Sequence, residues 1–401
     1  MSTRGTALIV GAGIAGLATA IALGRQGYGV RVLERRSAAS EAGAGIQLGP
    51  NAIKALDVLG VRPAIDRVSF EPSWLDLWDG ATGRRLSSVP LGERARARFG
   101  APYLTLHRAD LHGVLLQAAS ATPGVTLTYG FDVTDIEQAK GVRLTAADGR
   151  TAEGLAVIGA DGIWSRTRQL MSGETGAKPT PTGHSAYRLL VPRSGLPEPF
   201  GAPSVGLWLG RNAHLVHYPV SSGSLVNIVA VIAGGPISEA WDSGADADDL
   251  LTEFAAWPKS VQEFLRSPGE WRRWSLYYAE HRWPWSKGAM TLAGDAAHPV
   301  LPFLAQGAGL GLEDAVVLAD AVARRPGDFP AAFAAYGAAR RERAARVARN
   351  SRRNGSIYHL GGLAAQARNA AMRLAPPDRL LASYDWLYGY DPAGVLATAA
   401  A

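Results

Sequence analysis

Three glycines and a carboxylate carry the first chemical signal. Gly11, Gly13 and Gly16 fit G-x-G-x-x-G, and Glu34 follows close to where a dinucleotide fingerprint places its acidic residue. Gly11 permits a tight turn, Gly13 lets the backbone approach a pyrophosphate, and Gly16 lets a helix pack close to a strand. A helix opening here offers unpaired N–H groups and a positive dipole end to phosphates. Glu34 can accept hydrogen bonds from ribose hydroxyls and disfavours a 2′-phosphate. The plainer alternative is a Gly-rich turn of any α/β protein. FAD and NAD both satisfy this unit.

Other residues fit the same kind of ligand. Arg108 stands at the start of a helix, where the dipole favours anions, so a bound phosphate or carboxylate explains it better than capping does. Asp161, in Gly159–Gly162, can cap the next helix, and that role alone is sufficient for it. Asp295 ends an apolar run and can accept a hydrogen bond from a ligand hydroxyl. Gln306–Gly311 is a second Gly-rich turn entering a helix, so a second helix N-terminus can aim at the same ligand. Gln47 is the one polar side chain of an apolar loop and can touch a cofactor or a backbone group.

The elements that position these residues follow from pattern. Ala7–Val10 and Gly29–Leu33 read as buried parallel strands around a helix. Leu104–Gln117 reads as a strand running into a helix, and Leu155–Ile158 and Ala289–Ala293 as further buried strands. Ala52–Leu59 reads as a helix. Trp74–Trp78, ending at Asp79-Gly80, reads as a hairpin arm. Val125–Ile136 and Gly141–Ala147 suggest another hairpin. Thr175–Gly183 reads as a linker. The runs Tyr187–Val191, Val205–Leu209, His214–Val220 and Leu225–Ala233 suggest an antiparallel sheet covering a pocket, with a helical patch at Asp248–Trp257. Trp208, His214, His217, Tyr218 and Trp241 are its main aromatic residues. On one strand, His214 and Tyr218 share a face and His217 points the other way.

Composition narrows the class. The chain has 401 residues, is 47% hydrophobic and 19% charged, and contains no Cys. That is enough for two packed domains. It excludes a disulfide framework, a Cys-ligated zinc and a redox-active Cys pair. No apolar run reaches about 18 residues, and the chain runs straight into a strand, so the expectation is a cytoplasmic enzyme without a transmembrane segment. The net charge of +6 comes mostly from Arg, with many in Arg340–Arg353. The reading favoured for that run is a helix with a solvated face. No aromatic residues interleave it, so nucleic acid is not expected as a partner.

Taken together, GAGIAG (Gly11–Gly16), HRADLH (His107–His112), GADGIWSRTR (Gly159–Arg168) and GDAAHPVLPFLAQGAG (Gly294–Gly309) resemble the fingerprints of the single-component FAD-dependent aromatic hydroxylases, in order and spacing. The resemblance runs from about Ala7 to Asp391. AGAGIQLGPNA, NAHLVHYP and DWLYGYDP look most like salicylate, 3-hydroxybenzoate and 6-hydroxynicotinate hydroxylases.

The resemblance implies an α/β fold in three parts. The first is a discontinuous Rossmann-like FAD domain (residues 1–73, 101–182 and 286–328). The second is an inserted antiparallel β-sheet substrate domain (74–100 and 183–285). The third is a C-terminal helical region (329–401). Tightly bound FAD would be held by Gly11, Gly13, Ala15, Gly16, Glu34 and Arg35, with Gln47, Arg108 and Val133 along its length. Asp161 would serve FAD and the reduced nicotinamide, Asp295 the ribityl chain, and Pro302, Gly307, Ala308 and Gly309 the isoalloxazine end. NADH or NADPH would visit transiently, which fits the lack of a second Rossmann unit. The implied reaction hydroxylates a phenolic or heteroaromatic carboxylate with dioxygen through a flavin C4a-hydroperoxide. His214 and Tyr218 would line the substrate site, His214 as the base that makes the phenol a phenolate. Without the resemblance, His214 reads as an ordinary sheet histidine.

Arg188 and Tyr187 are candidate carboxylate anchors, and His298 reads as structural. The segment Val300–Phe303 has nothing polar, a departure from some 3-hydroxybenzoate-type enzymes that leaves the phenol and ring position open. A homodimer fits the family. The alternatives are oxygenation or epoxidation of a larger natural-product aromatic on the same scaffold, an NAD-dependent dehydrogenase, and a non-catalytic nucleotide-binding protein.

Overall fold

The computed structural model describes residues 4–38, 44–173, 178–234, 237, 243–279 and 283–398. Trp241, the start of the expected linker (175–177) and the start of the Ala42–Ala52 loop lie outside the described residues. Two large sheets dominate. The first has six strands in the order Ser286–Lys287, Met290–Leu292, Ala156–Gly159, Thr6–Val10, Gly29–Glu34 and Val125–Tyr129. Its inner four pairings are parallel and only the edge hairpin at Ser286–Lys287 is antiparallel. Ala7, Leu8, Ile9, Val30 and Val32 are fully buried, as strands covered on both faces must be. The helix Ile14–Arg25 lies on this sheet and packs along the helix Gly307–Arg324.

The second sheet has eight strands. Ser243–Gly244, Arg272–Tyr278, Thr180–Pro192, Leu225–Ala233, Ala213–Val220, Ser204–Gly210, Trp74–Asp79 and Arg85–Pro90 follow one another across it. All its pairings are antiparallel except Ser204–Gly210 with Trp74–Asp79. Alternation gives the sheet two faces. One buries Tyr187, Leu189, Phe200, Trp208 and Leu215 under the helices Ala247–Glu253 and Lys259–Leu265. The other turns toward the first sheet and roofs a cavity.

Several expectations change. The run Val125–Ile136 is not one hairpin arm. Val125–Tyr129 closes the parallel sheet, and Val133–Gln138 starts a separate three-stranded antiparallel sheet with Val142–Ala146 and Thr151–Gly154. Gly130, with φ +67, breaks the run between them. The expected linker is partly strand, because Thr180–Pro192 begins inside it and pairs with Arg272–Tyr278. The helical patch expected at Asp248–Trp257 is helix only as far as Glu253, and a second short helix, Lys259–Leu265, follows Pro258.

The largest correction concerns Arg340–Arg353. The helix Phe329–Tyr358 spans it, but Arg340 is fully buried. Its Nε donates to Asp314 Oδ1 at 2.8 Å, its Nη1 lies 2.6 Å from Glu313 Oε2, and it also reaches Leu310 O and the Tyr390 hydroxyl. Arg343 forks onto Glu313 at 2.6 and 2.7 Å. Burial alone would raise both carboxyl pKa values. The two arginines, with His298 on Asp314 and Asn51 on Glu313, hold both below their ordinary values. Such groups stabilise the fold above the pKa of the unfolded chain, about 4, and lose that contribution as pH falls through the folded values. Removing one partner strands buried charge. Arg340→Ala is therefore expected to cost about 3–5 kcal/mol in denaturant unfolding. A loss under about 1 kcal/mol would contradict the role given to this cluster.

Candidate active site

The Gly-rich turn is built by contact as well as by sequence. Gly11 has φ +102, and a Cβ there would sit 2.5 Å from Ala160 O. A Cβ on Gly16 would lie 2.0 Å from Gly11 O. Gly13 is different. Its backbone is extended, and a Cβ built on it meets nothing of the protein within 4 Å. The fold does not need glycine there, whereas a ligand lying against the backbone in the adjoining cleft does. This open cradle, at a helix N-terminus, fits a pyrophosphate.

Glu34 braces the turn. Its Oε2 accepts from Ala12 N–H at 2.8 Å and its Oε1 from Arg36 N–H at 3.0 Å. His112 Nε2 meets Ala12 O at 2.7 Å from the other side. Arg35, Arg108, Val133, Asp161 and Asp295 line the same cleft. Both oxygens of Asp161 are engaged. Oδ1 accepts from Ser165 Oγ at 2.5 Å, and Oδ2 from the N–H and hydroxyl of Thr167 at 2.9 and 3.0 Å. Ser165 caps the helix Arg166–Ser172. Arg168, buried behind it, donates to Ala296 O at 2.9 Å and so joins the second motif to the third.

The cleft continues past Asp295 into a second lobe. Arg108, Asp295 and Gly13 line both lobes, and Ala15, Gln47, Pro302, Gly307 and Ala308 line the second. Burial raises the pKa of Asp295, opposed by His298, Arg108 and Arg168. The helix Gly307–Arg324 starts at this lobe. Gly309 does not reach it and packs on Ala52 and Asn51, as Gly16 packs inside the turn. Pro302 is held from behind. Ser351 donates to Leu301 O at 2.7 Å, and Tyr358 and Asn354 donate to Phe303 O at 3.2 and 3.3 Å. His298 lies outside the cavity, with Nε2 2.5 Å from Asp314 Oδ2.

The roof is the eight-stranded sheet. Strand pairing sets Ala186, Val231 and His214 in one row, Arg188, Val229 and Val216 in the next, and Leu190, Asn227 and Tyr218 in a third. His214, Val216, Tyr218, Val229, Val231 and Arg188 face the cavity. The rows place the Cα atoms of His214 and Arg188 about 12 Å apart, with valines between. Arg188 lies flat over Trp274, 3.7 Å from the ring centre. Tyr187 points to the opposite face and is buried there. Burial pushes the Tyr218 hydroxyl up to about 12, so it stays protonated at neutral pH, and it bonds Gln47. Tyr103 donates to Gln47 Oε1 at 2.5 Å.

His214 is 3% exposed, and burial, then His359 and His184, push its pKa well below the ordinary histidine value. It is neutral at pH 7 and can accept a proton. Its Nδ1 lies 2.8 Å from His359 Nε2, which leaves Nε2 for the cavity. Beyond His214 the cavity runs into an apolar lobe closed by Tyr103, Tyr358, Tyr384 and Tyr388. The sequence reading missed these tyrosines and His359. They come from separate segments with no fixed spacing, and only DWLYGYDP hinted at Tyr388.

A two-sheet α/β scaffold with a Gly-turn cleft opening into a His- and Arg-lined apolar chamber suits a dinucleotide cofactor beside a flat, anionic ring. Residues 4–351 match the family described as FAD binding domain. The chain is 36% identical over 391 residues to the 3-hydroxybenzoate 6-hydroxylase of Polaromonas naphthalenivorans, covering 97% of both chains. It is 33% identical over 359 residues to the 6-hydroxynicotinate 3-monooxygenase of Bordetella bronchiseptica, covering 86% of this chain and 90% of that one. A solved salicylate hydroxylase substrate complex superposes with a TM-score of 0.83 at 28% identity, covering 98% of this chain and 97% of that one. The protein belongs to the FAD-dependent aromatic hydroxylases. It is an FAD enzyme that uses NAD(P)H and oxygen. Among the described residues no helix is long and apolar enough to cross a membrane.

The open cradle at Gly13 makes a specific demand. Gly13→Ala should leave the melting temperature of the apoprotein within about 2 °C, because the added Cβ meets no protein atom within 4 Å. It should lower FAD affinity at least about tenfold, roughly 1.4 kcal/mol, read by flavin absorbance after gel filtration. Full flavin occupancy in that variant would show that the pyrophosphate lies elsewhere.

Proposed function

We propose that this enzyme hydroxylates a small phenolic or heteroaromatic carboxylate, with His214 accepting the phenol proton and Arg188 holding the carboxylate. The observation that carries this reading is the roof of the cavity. It is an apolar valine surface with one neutral base at one corner and one guanidinium two strands away. Such a surface suits a flat ring bearing a hydroxyl at one end and an anion at the other. The named relatives act on 3-hydroxybenzoate and 6-hydroxynicotinate, both rings of this kind.

Bound FAD supplies the redox chemistry and the oxygen activation. The chain would hold it through Gly11, Gly13, Ala15, Glu34 and Arg35 at the adenosine end. Arg108, Val133, Asp161 and Asp295 would follow along the middle, and Pro302, Gly307 and Ala308 would meet the ring end. Gln47 sits where the cofactor and substrate lobes meet, fixed by Tyr103, and orients Tyr218. Burial by Phe303, Tyr358 and the valines excludes water, which lengthens the life of a reactive oxygen species and strengthens each polar contact. Removing the phenol proton enriches the ring carbons ortho and para to the oxygen, which is what an electrophilic oxygen needs. His214 is the group placed to do this.

Arg188 favours a carboxylate-bearing ring over the larger, anchor-free aromatics of the alternative reading. In the holoprotein, 3-hydroxybenzoate or a close isomer should speed flavin bleaching by NADH, and the matching methyl ester should not. Equal stimulation by acid and ester would remove Arg188 from the account. His214→Ala should cut hydroxylation by about 10²–10⁴-fold with FAD content unchanged. Turnover within a few-fold of the parent would remove His214 from the mechanism.

A further inference from the structure

A base as deeply buried as His214 needs somewhere to send its proton. In a hydrolase triad, a carboxylate behind the histidine stabilises the imidazolium. Here the group behind His214 is a second imidazole. His359 Nε2 lies 2.8 Å from His214 Nδ1, with ring centres 5.0 Å apart. His359 ends the helix Phe329–Tyr358 and is half-buried, whereas His214 is enclosed by Phe303 and Tyr358, each 5.5 Å away centre to centre. A third imidazole, His184, lies 5.3 Å from His359 and is also half-buried, its Nδ1 3.1 Å from Thr182 O.

We propose that His359 is a positioning residue that fixes the tautomer of His214 and carries the substrate proton from the cavity toward solvent. This rests on reading His214 as the base. The hydrogen bond between the rings needs one N–H and one lone pair. If His214 is to accept at Nε2, its own proton sits on Nδ1 and is donated to His359 Nε2. His359 then carries its proton on Nδ1. When the phenol ionises, its O–H bond breaks and a new N–H bond forms at His214 Nε2. The Nδ1 proton of His214 passes to His359 Nε2, and the Nδ1 proton of His359 passes to water. One proton leaves the cavity, no electrons are transferred, and both rings end in the other neutral tautomer. Reprotonation of the product phenolate by the reverse route restores both.

The surroundings favour passing the proton over storing it. Burial pushes His359 down to about 4, helped by His184 and Arg368. The groups that face the pair are His184 from the strand Thr180–Pro192, and Tyr358 and Arg368 from the C-terminal helices. Asp79 acts on Arg368 from behind. Arg368 is fixed by Ile357 O and Tyr358 O at 2.8 and 3.0 Å. The helix C-terminus at His359 works the other way and favours transient positive charge there.

The test uses FAD-loaded enzyme and 3-hydroxybenzoate, 4-hydroxybenzoate or salicylate, whichever most speeds flavin bleaching. A pH-indicator dye in a stopped-flow instrument reads proton release on binding at pH 7, without turnover. Wild type should release one proton per site. His359→Gln still offers an oxygen to His214 Nδ1 but cannot pass a proton on. It should slow release and turnover at least tenfold with KM and FAD content within about twofold. His359→Ala should regain rate with added imidazole. His214→Gln should abolish release. Release at the parental rate in His359→Gln, with His214→Gln inactive, overturns the relay and leaves the base. Parental release in His214→Gln overturns the base itself.

Discussion

The turn carrying Asp295, the helix behind Gly309 and the segment of the inner tyrosines are tied to one buried cluster of charge, Arg340 between Asp314 and Glu313. Burying three ionised groups is costly, and it is tolerated only because each oxygen and nitrogen has a partner. Those partners stand behind three walls of the site. Asp314 Oδ2 accepts from Gly294 N–H at 2.8 Å and from His298, fixing the turn that carries Asp295. Glu313 accepts from Asn51 at 2.6 Å, fixing the helix Pro50–Val58 behind Gly309. Arg343 reaches Trp386 O and Leu387 O, tying down the segment that brings Tyr384 and Tyr388 to the inner lobe. The helix Gly307–Arg324, which points its N-terminus at the cavity, carries both carboxylates. Its position is therefore held by ion pairs as well as by packing on the helices Ile14–Arg25 and Phe329–Tyr358.

The eight-stranded sheet shows how much alternation can decide. His214 and His217 are three residues apart on one strand, with the same side chain. His214 faces the cavity and has a polar partner that leads outward. His217 faces the helical side, packed between Phe200, Trp208 and Phe264, and neither ring nitrogen finds a partner among the described residues. Burial pushes it down to about 3, so it behaves as a neutral core side chain. Placement and partner, more than residue type, separate a group that can do chemistry from one that packs.

The cofactor half was largely legible in the sequence because its signals are local. A glycine turn, a strand before it and an acidic residue after it lie within one short unit, and their spacing carries the geometry. The face-sharing of His214 and Tyr218 was legible for the same reason, since strand parity is a local property. The gaps are the long-range ones. Arg340 looked like one more arginine in a solvated run, and nothing nearby reveals that Asp314 and Glu313 dock on it. His359 is 145 residues from His214. Val125–Ile136 alternates like one strand, and only Gly130 marks the break between two sheets. Tyr187 and Arg188 could not be told apart as anchors until the register showed which one faces the chamber.

In the proposed reaction one atom of dioxygen enters a phenolic ring. The direct measurement is turnover of the FAD-loaded enzyme with NADH, 18O2 and 3-hydroxybenzoate or its isomers, followed by mass spectrometry of the aromatic product. A dihydroxylated product carrying one labelled oxygen, formed in step with NADH consumption, is expected. Consumption of NADH with all the label in hydrogen peroxide, and each ring recovered unchanged, would contradict it.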